Sequence, residues 1–106
     1  MSEASKSKKA FYRKLYIAYL IDSGKQNLVS LEEETGMPKR TLQTAMSALP
    51  DIGIEYVFIQ DGSKNRHGYY KITEWGSTNK KWIKENMQYV IDVLQQSRII
   101  SPKLKN

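Results

Sequence analysis

A chain of 106 residues, 40% hydrophobic and 26% charged, has the size and mix of one soluble domain with a modest core. It has no cysteine and one histidine, His67, which excludes disulfides, thiolate metal sites and thiol nucleophiles and leaves any histidine chemistry to that residue. The net charge of +6 is carried by the ends: residues 1–25 and 76–106 each have six basic against two acidic residues (+4), whereas 26–50 and 51–75 are each −1.

That distribution suits a polyanionic partner, although a basic surface kept for solubility would carry the same charge. No apolar run approaches the ~20 residues that span a bilayer. The polar, basic start does not read as a secretory signal, and together with the missing cysteines it points to the cytoplasm. No internal repeat is visible. The expected organisation is a flexible basic arm over 1–8, one domain over 9–97 and a flexible tail over 98–106.

Residues 9–23 read as a helix. Phe11, Leu15 and Ala18 follow a helical spacing, as do Tyr12, Tyr16 and Tyr19, and Ile17, Leu20 and Ile21 add a third stripe. So broad an apolar surface makes this helix either central to the fold or part of an oligomer contact. Residues 30–36 read as a short second helix, with Ser30 and Glu33 as a capping box and Gly36 as its stop. Pro38 opens a third helix, 38–49, whose buried face is Leu42, Ala45, Met46 and Leu49 and which Pro50 ends.

The period then changes. Ile54 to Gln60 is β-branched and aromatic and alternates as a strand does. Residues 61–68 are a turn segment, and Tyr69 to Thr73 return as a second strand, so the pair is a hairpin with a basic tip. Residues 78–97 read as a long last helix, started by Ser77 or Thr78, with Ile83, Met87, Val90, Ile91 and Leu94 on one stripe and Trp82, Tyr89 and Val93 on another.

Helix, helix, turn, helix, strand, basic loop, strand, helix is the order of a winged helix-turn-helix. The implied fold class is α+β, mainly α, with a two-stranded wing and a long C-terminal helix. Around Gly36 the apolar positions fall where two steeply crossed helices lock: Leu31 five before, Met37 one after, Leu42 six after, Ala45 nine after. One position departs. Glu32, four before the glycine, stands where a small residue is usual, so its carboxylate has to point outward.

The third helix then offers Lys39, Arg40, Thr41, Gln43, Thr44 and Ser47 to a major groove. Arginine and lysine donate to guanine, glutamine pairs with adenine, and hydroxyls adapt to either. A solvated helix face has the same composition, and the surrounding topology is what favours DNA. Lys64, Asn65 and Arg66, with His67 as a turn residue, suit phosphates or a minor groove. Lys6, Lys8 and Lys9 suit a backbone clamp or simply a basic tail. Tyr69, Tyr70, Trp75 and Trp82 can be read as a stacking platform for single strands, but such rings are more often core, and adjacent Tyr69 and Tyr70 must face opposite ways.

Residues 34–43 (ETGMPKRTLQ), Asp51-Ile52-Gly53-Ile54, residues 67–72 (HGYYKI) and Glu74-Trp75-Gly76 together resemble a family of small uncharacterised prokaryotic winged helix-turn-helix proteins, over roughly 11–95. The resemblance implies the fold and a DNA-binding role, and no operator, ligand or reaction. The expected function is a double-stranded DNA-binding transcriptional regulator, not an enzyme, with no cofactor and no metal. A homodimer through the first and last helices would match two half-sites. The alternative is a protein-interaction adaptor on the same scaffold, motivated by the apolar excess on those two helices.

Overall fold

The computed structural model describes residues 5–60 and 68–96. Helix α1 spans Lys6–Ser23. The Ser5 hydroxyl accepts from the Lys8 amide at 3.1 Å and sets its start, so residues 6–8 are helical and not part of an arm. Gly24 follows in an extended conformation that ends the helix.

Helix α2 spans Leu28–Thr35. It begins earlier than expected because Asn27, not Ser30, is its cap. The Asn27 carboxamide accepts from the Ser30 amide (3.0 Å), and the Ser30 hydroxyl accepts from the Asn27 amide (2.8 Å). The box is therefore Asn27 with Ser30, three residues before the Ser30–Glu33 box expected from the sequence.

Helix α3, Lys39–Ser47, is shorter than the 38–49 expected. Ala48 caps α3, and Leu49–Ile52 forms a single 3-10 turn holding Pro50, so the proline sits within this turn and is not the stop itself. Strands β1 (Glu55–Gln60) and β2 (Gly68–Glu74) pair antiparallel, with Tyr56 opposite Ile72 and Phe58 opposite Tyr70. Helix α4 spans Lys80–Gln96. Asn79, not Ser77 or Thr78, caps it by accepting from the Trp82 amide at 3.0 Å. The helix breaks its regular geometry at Asn86, whose side chain donates to the Trp82 carbonyl at 2.9 Å.

Helix α1 is the hub. It packs against α3, α4 and β2, which explains its apolar stripes on several sides. Leu15, Ile17, Ala18 and Ile21 meet Leu31, Met37, Leu42 and Met46 of the helix pair, Ile54 and Ile72 of the hairpin, and Ile83, Val90 and Leu94 of α4 in one core. The fold is α+β, mainly α, as expected. Among the described residues no helix is long and apolar enough to cross a membrane.

Candidate nucleic-acid interface

The turn between α2 and α3 is built from three residues. Gly36 takes a left-handed conformation (φ 75°) and donates its amide to the Glu32 carbonyl at 2.9 Å, closing α2. Met37 is buried beneath the turn. Thr35, the only polar residue wholly buried among the described residues, donates its hydroxyl to the Leu31 carbonyl (2.7 Å) and accepts from the Met37 amide (3.0 Å). One side chain thus ties the last turn of α2 to the first residue leading into α3. Sequence reading passed over Thr35; its one signal was a hydroxyl directly before the turn glycine.

Helix α3 divides cleanly. Leu42, Ala45 and Met46 are buried, while Lys39, Arg40, Gln43, Thr44 and Ser47 are exposed and Thr41 is half-buried at the border. The Ser47 hydroxyl turns back onto the Thr44 carbonyl at 2.9 Å, which leaves Lys39, Arg40, Gln43 and Thr44 as the outward donors and acceptors. Pro38 caps the helix without a side-chain hydrogen bond, so no side chain satisfies the first amides of α3. Glu32 is exposed, as its position required, and with Glu33 it borders a shallow recess beside Pro38. Carboxylates therefore bound this face on its α2 side.

The hairpin is fastened to the helix pair. The Tyr70 amide donates to the Gln26 carbonyl at 2.8 Å, an isolated bridge that adds the α1–α2 linker to β2. The Asn27 carboxamide, already the cap of α2, also reaches the Gly68 carbonyl at 3.4 Å. Tyr70 sits against Tyr56 and Phe58, with ring centroids 5.7 and 5.1 Å away, and packs on the core. Tyr69 lies on the opposite face, with the Lys25 ammonium 5.2 Å from its ring centroid. Lys64, Asn65, Arg66 and His67 lie outside the described residues.

The lysines expected in an arm occupy the first turn of α1. Lys8 is engaged: its ammonium donates to the Tyr89 hydroxyl at 2.6 Å and lies 5.5 Å from the centre of the Tyr12 ring. This hydrogen bond raises the Lys8 pKa and lowers that of Tyr89. Trp75 is half-buried against the core, whereas Trp82 and Tyr89 stay exposed.

A family profile described as winged helix-turn helix matches residues 6–94. The chain is also similar to a DUF2131 family protein from Shewanella amazonensis SB2B, whose crystal structure it matches with a TM-score of 0.82 at 47% identity, over 87% of this chain and 89% of that one. No curated protein matches it.

Proposed function

Because this chain belongs to the winged helix-turn-helix family, we propose that it is a transcriptional regulator of prokaryotic type that binds double-stranded DNA, with α3 in the major groove. The observation that carries the reading is the single exposed face of α3, which presents Lys39, Arg40, Gln43 and Thr44. Arg40 and Lys39 suit guanine O6 and N7, Gln43 suits adenine N6 and N7, and the first amides of α3, after Pro38, suit a phosphate. Among the described residues, α4 does not pack closely on α3. Helix α4 packs on α1, and Glu32 and Glu33 line a recess beside Pro38, at the edge of this face.

The wing residues Lys64, Asn65 and Arg66 are assigned to the DNA backbone or minor groove from their sequence alone. The family's role as a binding domain favours a non-catalytic protein, and a regulator of this kind works in the cytoplasm. A second reading, a protein-interaction adaptor, has one observation in its favour, the exposed rings of Phe11, Trp82 and Tyr89.

Fluorescence anisotropy with labelled duplexes over a range of salt tests the proposal. Affinity that falls steeply and log-linearly with salt is expected. No duplex binding at low salt would refute it.

A further inference from the structure

We propose that the recess between the end of α1, the start of α4 and the turn after β2 binds a small planar aromatic carboxylate. Its volume is about 280 Å³, close to the lower end for small-molecule sites. Tyr19, Asp22 and Ser23 line it from α1, Lys80, Ile83 and Lys84 from α4, and Trp75 from the turn. Tyr19 and Trp75 are half-buried against the core and Ile83 belongs to it, so two rings and an aliphatic side chain form an apolar wall anchored in the fold. Aromatic side chains pack well on another ring, which favours a planar ring as the occupant.

The polar lining selects the ligand's charge. The Asp22 carboxylate is taken: the Lys80 ammonium lies 3.0 Å from it and joins α1 to α4 at the recess. The Ser23 hydroxyl is taken too, since it donates to the Tyr19 carbonyl at 2.7 Å. Lys84 lines the recess, and among the described residues its ammonium has no ion-pair partner. Two cations against one anion leave the lining at +1, which one carboxylate neutralises. The charged residues close to these in sequence, Lys25, Glu74, Lys81 and Glu85, do not line the recess, and the Glu74 carboxylate accepts from the Gly76 amide at 3.1 Å. A cationic ligand would compete with Lys80 for Asp22, and a neutral one would leave Lys84 unmatched.

Binding stands apart from the DNA reading, but its use as a control rests on it. Trp75 is followed by Gly76, whose backbone abuts that of Gly53, the residue closing the turn after α3. A ligand packed on Trp75 therefore sits one residue from the joint between the hairpin and α3, and it favours whichever setting of that joint keeps the recess open.

Isothermal titration calorimetry of the full chain with indole-3-acetate is the test, with an expected Kd of about 1 mM or tighter. Neutral indole-3-acetamide and cationic tryptamine should each bind at least about 5-fold more weakly. Lys84→Ala should weaken indole-3-acetate about 5-fold, whereas Lys71→Ala, an exposed lysine on β2, should leave it unchanged. Circular dichroism melts confirm that both variants fold. No binding of indole-3-acetate at about 10 mM, equal binding of the three indoles, or undiminished binding by Lys84→Ala overturns the proposal. Duplex affinity should shift about 3-fold or more with indole-3-acetate present, against the same concentration of acetate. The readings fail separately: a bound ligand that leaves duplex affinity unchanged refutes the control, and a chain that binds the ligand but no duplex refutes the DNA reading and not the site.

Discussion

Gly53 and Gly76 meet backbone to backbone. Both hold left-handed conformations (φ 82° and 60°), and a Cβ built on Gly76 would fall 2.7 Å from the Gly53 Cα. Gly53 closes the 3-10 turn that follows α3, and Gly76 follows β2 on the way to α4. Their contact pins the exit of the α2–α3 pair to the exit of the hairpin, and only glycine satisfies both the dihedrals and the approach.

Gly76→Ala should therefore destabilise the fold by about 1–3 kcal/mol, from strain and backbone contact together. Gly24→Ala is the control. Gly24 is extended with nothing within 4 Å of a built Cβ, so alanine there should be neutral or stabilising by up to about 1 kcal/mol. Thermal melts of the two variants separate the cases, and equal effects would contradict the account.

Thr35→Val keeps the shape and removes the hydroxyl, leaving the buried Met37 amide without its acceptor. The expected loss is about 1–3 kcal/mol, visible in urea unfolding. DNA affinity should fall as well, because the same hydroxyl fixes the angle at which α3 leaves the turn. Thr35→Ser, which retains both hydrogen bonds, should keep the affinity.

Alkaline pH gives a third outcome. Burial raises the phenol pKa of Tyr16, with the Glu34 carboxylate adding to it, and burial also raises those of Tyr12, Tyr56 and Tyr70. The unfolded chain loses these protons first, near the ordinary value of about 10, so stability is flat below that pH and falls as pH climbs through it toward the higher folded values. Tyr89, held low by its bond from Lys8, acts in the opposite sense. Melts from about pH 8 to about pH 11 should show the decline, and Tyr16→Phe should make it shallower. A parent whose melting point does not fall above pH 10 would contradict this.

The core of the fold was legible because burial imposes a period. Leu42, Ala45 and Met46 on α3, and Ile83, Met87, Val90 and Leu94 on α4, are buried where their spacing put them. Tyr69 and Tyr70 part to opposite faces as a strand requires. The ends of elements were less legible, since Asn27, Ser30, Ser77, Thr78 and Asn79 are all competent caps and tertiary position decides among them. The Asn27 choice depends on the hairpin: the same residue that caps α2 bonds to Gly68. The Gln26–Tyr70 bridge and the Gly53–Gly76 contact join residues far apart in the chain, and no local pattern announces such pairs. On the candidate interface, the exposed face of α3 followed from the helical period alone. The engagement of Lys8 with Tyr89 did not, because it depends on how α1 lies against α4.

The most direct test of the central claim, that α3 reads base edges, is selection of bound duplexes from a random pool at fixed salt, with the parent chain and with Arg40→Ala and Gln43→Ala. Each variant is expected to retain binding, lose about 1–3 kcal/mol for the selected site and relax preference at one or two base positions, different for each variant. Enrichment of the same sequence by all three proteins, or of none by the parent, would contradict it.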